Sequence, residues 1–180
     1  MERIYRRHIR LDAHGRQVVG ELADDAQHFR VRLRHDGQRV VALDGEAVRH
    51  PWNTCAEAIN PLRALEGMVL SHRCTAVGEV ANAGEQCTHW FDLAGLAVAH
   101  AAARRVSREY RCAVWGEPGA DVHATLERDG APLLTWRLEG MTIRGAAPFE
   151  GRSLTGEFMA WAESELDPDL AEAPPEPKHA

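Results

Sequence analysis

The sequence has no long apolar run, and its net charge is negative. A helix that crosses a membrane needs about 18 consecutive apolar residues. The best candidate, from Phe91 to Ala103, is interrupted by Asp92 and His100. The chain has 27 acidic and 21 basic residues and a formal net charge of −6. Because nucleic-acid-binding domains usually carry basic surfaces, we expect neither a membrane span nor a nucleic-acid partner.

Cysteine and lysine are both scarce. Four cysteines, Cys55, Cys74, Cys87 and Cys112, are too few for the disulfide scaffold of a secreted domain. No apolar stretch follows the N-terminal arginines, so we expect no secretory leader, a cytoplasmic location and free thiols or ligands. Lys178 is the only lysine, and together with the alanine-rich composition this indicates a GC-rich bacterial genome.

Motifs for nucleotide cofactors and for the common hydrolases are also absent. The chain has no Gly-x-Gly-x-x-Gly, no P-loop, no Gly-x-Ser-x-Gly elbow and no His-Glu-x-x-His. We therefore predict no nucleotide cofactor. If the protein is an enzyme, a cofactor-free or metal-assisted reaction of the lyase, isomerase or hydrolase type fits better.

The composition is globular, and strand patterns occur in both halves of the chain. The 180 residues are 44% hydrophobic, which suffices for one core of ordinary size. Rough alternation of β-branched or aromatic residues predicts strands at 16–22, 29–33, 39–48, 109–115, 122–127 and 133–143. Asp36-Gly37 and Asp129-Gly130 predict hairpin turns. Apolar residues alternate with arginines over 29–34, which predicts a solvated strand face, with an anion site as the alternative.

The first helical segments are predicted between the two groups of strands. Thr54 and Glu57 have the spacing of a capping box, which opens a short turn up to Ile59. A proline cannot continue that turn, so a second short helix is predicted over 61–66. The segment 71–86 is predicted as a loop, with a short strand at 74–80 as the alternative.

The longest helical pattern runs from Thr88 to about Arg105, and a last helix is predicted over 154–165. Pro174, Pro175 and Pro177 lie among acidic residues in the segment after that helix. We expect a single domain over residues 1–166 and a mobile acidic tail over 167–180.

The two groups of strands resemble each other weakly. Leu33–Gly37 is similar to Leu126–Gly130, and each group is followed by a proline–aromatic pair and then a helix. We predict an α+β fold of two antiparallel β-meander-plus-helix halves, packed as one unit around the long central helix. The halves are either duplicated or alike only because Asp-Gly hairpins resemble one another.

Short motifs carry a further resemblance along nearly the whole chain. They are Arg34–Gly37, Pro51–Cys55, Pro61–Gly67, Gln86–Leu93, Arg128–Gly130, Pro148–Arg152 and Asp167–Ala173. Together they resemble the bacterial domain-of-unknown-function family 2889, most specifically in Gln86–Leu93. The chain departs from that pattern at Trp90, where the family usually has Leu. It also departs at Pro174 and Pro175, which end the segment that continues as a helix in the family. The resemblance implies a bacterial protein and no established activity.

Cys87-Thr88-His89, at the predicted start of the long helix, is the main candidate for chemistry. With Thr88 as N-cap, backbone N–H groups and the helix dipole there favour a thiolate or a bound anion. Asp92 follows His89 by three residues and can orient its imidazole. We predict Cys87 as nucleophile or ligand, His89 as acid/base and Asp92 as orienter. The alternative is a structural segment, with a capping Asp92, a buried Cys87 and a His89 bonded to a carbonyl.

The same region supports two further predictions. If two helix starts meet, Cys55, Cys87 and His89 form a Cys₂His set that suits a transition metal such as zinc. Trp52, Trp90 and Cys55 are candidates to line an apolar pocket for a small-molecule ligand. His100, on the same helix face as His89, is predicted as a satisfied histidine at the edge of the core.

Two functions follow from these predictions. The first is a small-molecule enzyme of bacterial catabolism whose site lies at the start of the long helix. The second is a non-enzymatic module that binds a ligand or partner through its β-rich halves, with a structural Cys-Thr-His segment. Exposed strand edges would favour a homo-oligomer in the second case.

Overall fold

The computed structural model describes residues 3–82, 84, 86–117, 121–145 and 147–171. Its eight strands are β1 (Arg3–His14), β2 (Gln17–Asp24), β3 (His28–His35), β4 (Val40–Arg49), β5 (Ser107–Gly116), β6 (Val122–Arg128), β7 (Ala131–Glu139) and β8 (Thr142–Arg144). They form an antiparallel sheet in the order β4-β3-β2-β1-β5-β6-β7-β8. The α-helices are α1 (Thr88–Ala102), α2 (Phe158–Glu165) and α3 (Pro168–Ala171). The predicted α+β class is therefore confirmed.

The chain divides into two compact units. One is Ile9–Arg108, and the other combines Met1–His8 with Glu109–Ala180. The predicted domain end at residue 166 falls between α2 and α3, and most of the predicted tail, residues 172–180, lies outside the described residues. No helix in the described part of the chain is both long and apolar enough to cross a membrane.

In the first unit, β2 and β3 pack against α1 through alternate side chains. Phe29, Val31 and Leu33 of β3 are fully buried, whereas the arginines between them point away from the core. This period of two places the apolar face of the hairpin on the helix. α1 is buried along most of its length, so it forms the centre of this unit's core.

The second unit has an aromatic core. Trp136 lies 5.2 Å from Phe149 and 6.0 Å from Phe158, measured between ring centroids. Trp161 of α2 packs on both phenylalanines, at 5.9 and 5.6 Å. The guanidinium of Arg152 lies 4.3 Å from the Trp161 ring centroid, which shields the outer side of the cluster by a cation–π contact.

Both predicted Asp-Gly hairpins are confirmed, but their turns differ. Asp129 and Gly130 have positive φ angles of 53° and 79°, as a type I′ turn requires. In the turn between β3 and β4, the Asp36 side chain instead accepts hydrogen bonds from the backbone N–H groups of Gln38 and Arg39, both at 2.8 Å. The side chain therefore fixes the longer loop.

The segment between β4 and α1 differs most from the prediction. A 3₁₀ helix, Glu57–Leu65, runs through Pro61 where a break was predicted. Ile59, Leu62 and Leu65 are its buried residues, and their spacing of three matches the three-residue turn of a 3₁₀ helix. The capping-box prediction was wrong, because Thr54 lies within a separate 3₁₀ turn that has no side-chain cap.

Four other predictions also need correction. The segment 74–80 is neither loop nor strand, because Cys74–Glu79 forms a 3₁₀ helix. β1 was missed because arginines dilute its pattern of alternate buried residues, Ile9 and Leu11. The predicted strand 133–143 is two strands, β7 and β8, separated at Gly140, whose φ is 60°. Thr88 is the first residue of α1 and not its N-cap, which is Cys87 without a side-chain capping hydrogen bond.

Gly95 should be essential for packing α1 on the preceding 3₁₀ helix. A Cβ at this position would lie 2.3 Å from the Cys74 carbonyl oxygen, a backbone atom that cannot move alone. Glycine-to-alanine changes within helices otherwise stabilise by about 1 kcal/mol. We expect Gly95→Ala to lower the free energy of unfolding by about 1–3 kcal/mol in urea denaturation. Gly78→Ala, whose nearest neighbour is 3.7 Å away, is the control and should be nearly neutral.

His100 should make the fold sensitive to mild acid. It is fully buried on α1, and neither ring nitrogen makes a hydrogen bond of normal geometry within the described chain. Burial, and then the charge of Arg105, lowers its pKa in the folded protein. Unfolded His100 therefore binds a proton more readily, so stability falls as pH drops below about 6.5. In urea denaturation, the free energy of unfolding should fall less with decreasing pH in His100→Leu than in the unchanged protein. Replacing the exposed His72 with Asn should leave this pH dependence unchanged.

Candidate functional site

Cys87 and His89 come together at the start of α1. Cys87 is half-buried, and its Sγ lies 3.9 Å from His89 Nδ1. The carbonyl of Cys87 accepts the backbone N–H of Phe91 at 3.0 Å, which sets the first turn of the helix. The thiol and the imidazole therefore lie within the range of a sulfur hydrogen bond, although they are only two residues apart.

The carboxylate beside His89 comes from the end of β2. His89 Nε2 lies 3.8 Å from Oδ2 of Asp24, and the two side chains are 19% and 4% exposed. The sequence predicted Asp92 for this position. Asp92 lies one turn further along α1 and is also half-buried, so its orienting role stays a prediction beside that of Asp24.

Asp24 is held rigidly by the turn between β2 and β3. Its Oδ1 accepts the backbone N–H groups of Ala26 and Gln27 at 3.0 and 2.8 Å. Arg49 donates hydrogen bonds to the carbonyl oxygens of Asp24 and Gln27. One carboxylate oxygen therefore fixes the turn, while the other faces the imidazole.

Two buried amide oxygens belong to the chain segments around this group. Gln27 lies in the Asp24 turn, and Gln86 immediately precedes Cys87. Neither Oε1 atom has a hydrogen-bond partner in the part of the chain that the structure describes. Buried polar atoms are nearly always paired in a packed core, so these two oxygens are exceptions within the segments that carry Asp24 and Cys87.

The aromatic neighbours of His89 are core residues. The Phe29 ring lies 5.8 Å from the His89 ring and 4.7 Å from Trp90, between centroids. Trp90 is completely buried, and its Nε1 donates to the Cys55 carbonyl oxygen at 2.8 Å. The indole therefore supports the site from within the core, in contrast to its predicted role in lining a ligand pocket.

The other predicted ligand residues lie at the first 3₁₀ turn, Asn53–Cys55, which contains Cys55 and has Trp52 as its N-cap. Cys55 is buried, and its backbone N–H donates to the carbonyl oxygen of Trp52 at 3.0 Å. The Trp52 side chain is 69% exposed, and the same carbonyl is 2.8 Å from Nδ1 of His50. The first 3₁₀ turn and the start of α1 are therefore joined by the Cys55 carbonyl and the Trp90 indole.

The described residues contain no group of three or more His, Cys, Asp or Glu side chains placed to hold a metal ion. The predicted set of Cys55, Cys87 and His89 does not form such a group. A zinc site therefore stays a prediction from the sequence alone.

Sequence reasoning found the thiol and the imidazole of this group but did not find the Asp24 carboxylate. Asp24 lies far from His89 in the chain, and the contact depends on packing of the β2–β3 turn against the start of α1. The pattern Asp24-Asp25-Ala26-Gln27 does carry a turn signal, since an aspartate often accepts N–H groups two and three residues later. No sequence signal links that turn to a particular helix.

No family model matches the chain, and no curated protein matches it. The resemblance to the bacterial family 2889 therefore stays a prediction from its motifs.

The Asp24 carboxylate should stabilise its turn independently of its charge. Asp24→Ala removes the acceptor for two backbone N–H groups, and we expect a loss of about 1–3 kcal/mol in the free energy of unfolding. Asp24→Asn keeps an acceptor oxygen, so its loss should stay below about 1 kcal/mol. Alanine at the exposed neighbour Asp25 is the control. Equal losses in the two Asp24 variants would show that charge, and not the acceptor, holds the turn.

Proposed function

We propose that the protein is a small-molecule enzyme of the hydrolase type, with Cys87 as nucleophile and His89 as its base. The observation that supports this proposal is the order of the side chains. The thiol faces Nδ1 of the imidazole at 3.9 Å, and the carboxylate of Asp24 faces Nε2 at 3.8 Å. Nucleophile, base and orienter in this order are the components of cysteine-based acyl transfer.

Each member has a distinct role in this proposal. His89 Nδ1 takes the thiol proton as Cys87 Sγ attacks a carbonyl carbon. A carbon–sulfur bond forms, and the bond to the leaving group breaks as His89 donates the same proton to that group. Asp24 holds Nε2 and stabilises the imidazolium that exists between these two transfers. The neutral His89 then takes a proton from water, whose oxygen attacks the thioester. The carbon–sulfur bond breaks, the acyl group leaves as a carboxylic acid, and Cys87 regains its proton from His89.

The position of the thiol adds a second argument. Cys87 is the N-cap of α1 and makes no side-chain capping bond. The first N–H groups of a helix have no partner within the helix, and the dipole is positive there. Negative charge on the sulfur, or on an oxygen bound next to it, is stabilised at this end.

The binding-module hypothesis has its own support in the packing of Trp90. Its indole joins α1 to the first 3₁₀ turn through the Cys55 carbonyl, and this bond holds the start of the helix without any catalytic role. Under that hypothesis Cys87-Thr88-His89 is a structural segment, and Cys87 should react like any other half-buried thiol. Cys74, which is also half-buried, provides the comparison within the same protein.

We also infer that the two β-meander-plus-helix halves share an origin. Each contains an Asp-Gly hairpin, β3–β4 or β6–β7, and continues to a helix after a proline–aromatic pair. The second half begins α2 with Phe158-Met159-Ala160 and has no cysteine or histidine there. The proposed chemistry therefore belongs to the first half alone.

The test is acetylation by p-nitrophenyl acetate, followed by release of nitrophenolate and by peptide mass spectrometry. Cys87 should acetylate at least about 10-fold faster than Cys74, since an adjacent base activates the thiol. His89→Gln should slow the acetylation of Cys87 at least about 10-fold, and Asp24→Asn should slow it about 3- to 10-fold. Asp92→Asn, a matched carboxylate on α1, should leave the rate within about 2-fold.

Circular dichroism of each variant shows whether it is folded, and only the rates of folded variants are compared. Equal rates at Cys87 and Cys74, or rates at Cys87 that do not change in His89→Gln, would contradict the enzyme proposal and favour the binding module. A loss in Asp92→Asn but not in Asp24→Asn would return the orienting role to Asp92.

A further inference from the structure

The face of β2, β3 and β4 that points away from α1 carries a ladder of arginine–carboxylate pairs. Arg30 donates from Nε to Glu21 at 2.7 Å and from Nη1 to Glu46 at 3.1 Å. Arg32 donates to Asp44 at 3.4 Å and to the same Glu46 at 3.1 Å. Burial by itself raises the pKa of Glu21. The hydrogen bond and charge of Arg30, followed by those of His28, lower it by more, so the pKa of Glu21 is lowered overall.

The third arginine of β3 has no such partner, and the strand register shows why. Arg30 is flanked by Glu21 on β2 and Glu46 on β4, whereas Arg34 is flanked by Gln17 and Ala42. Cross-strand neighbours decide which side chains can pair on one face of a sheet. The acidic ladder therefore ends one step before Arg34, which makes no hydrogen bond or ion pair within the described chain.

Arg34 lines a cleft at the turn end of these strands. The cleft has a volume of about 440 Å³, and Arg16, His14 and His35 also line it. The cleft is shallow and open to solvent, so it suits a small charged group held at the surface and not a deeply enclosed ligand. Arg16 lies in the turn between β1 and β2, and its carbonyl oxygen accepts the backbone N–H of His35 at 2.9 Å. That bond holds the two turns side by side.

The charge of the cleft is not cancelled by its own residues. Asp36 is its only acidic lining residue, and one of its oxygens is already committed to the backbone N–H groups of Gln38 and Arg39. The cleft therefore has the positive charges of Arg16 and Arg34 and only one negative charge, that of Asp36, to balance them. Nδ1 of His35 is buried without a hydrogen-bond partner in the described residues, which leaves a polar ring atom at the same place.

We propose that this cleft binds a small organic anion through a carboxylate or phosphate group held by Arg34 and Arg16. A guanidinium presents paired N–H donors that match two oxygens of either group. Val41, which is half-exposed in the same cleft, offers an apolar contact for the carbon skeleton. The site is separate from Cys87 and His89 and does not depend on the proposed reaction.

The test is isothermal titration of the full chain with inorganic phosphate and, separately, with succinate, at constant ionic strength set by sodium chloride. We expect saturable binding of at least one probe with a millimolar or lower Kd. Arg34→Gln should weaken it at least about 10-fold, as for the loss of a charged hydrogen-bond pair. Arg34→Lys should also weaken it, because lysine keeps the charge but not the paired donors.

Arg32→Gln is the matched control, since it removes one arginine from the same strand and face. Its Kd should change less than about 2-fold, and Cys87→Ser should bind as the unchanged protein does. Phosphate binding alone would identify a phosphate site, and succinate binding alone a carboxylate site. No saturation by either probe up to about 50 mM, or equal losses in Arg32→Gln and Arg34→Gln, would overturn the proposal.

Discussion

The packing of Trp90 is the constraint on which the candidate site depends. The indole is fully buried against Phe29, and a Cβ on Gly45 would lie 2.5 Å from its ring. Its one polar atom is satisfied by the Cys55 carbonyl, as burial of an indole requires. Rotation of α1 would break this fit, so the helix has one orientation over β3. That orientation places His89 beside the end of β2 and Asp24.

The strand register has a comparable effect on charge. In β3 the alternation of apolar residues and arginines places all three arginines on the face away from α1, but the neighbouring strands decide which of them are neutralised. Pairing shifted by one residue would turn the Glu21 and Glu46 side chains to the other face of the sheet and leave Arg30 without these partners. The free guanidinium at the turn end is thus a consequence of pairing across three strands and not of the β3 sequence itself.

These two constraints also explain what the sequence predicted and what it did not. Most strand positions after β1, both Asp-Gly hairpins and the approximate start of α1 are local and followed from periodicity and turn residues. The 3₁₀ helix through Pro61 was missed because a three-residue burial period was interpreted with α-helical rules. Cys87 and His89 were found because they are adjacent in the chain. Asp24 and the unpaired state of Arg34 depend on contacts between distant segments, which one sequence does not specify.

The two proposed sites lie at opposite ends of the same hairpin. Asp24 begins the turn before β3, and Arg34 lies near the end of that strand, which has eight residues. At about 3.3 Å per residue the separation is roughly 20–25 Å, too far for one small molecule to contact both. An anion held by Arg34 is therefore not the group that Cys87 would attack. Any coupling between the sites would have to pass through β3, whose buried face packs on α1 directly beneath His89.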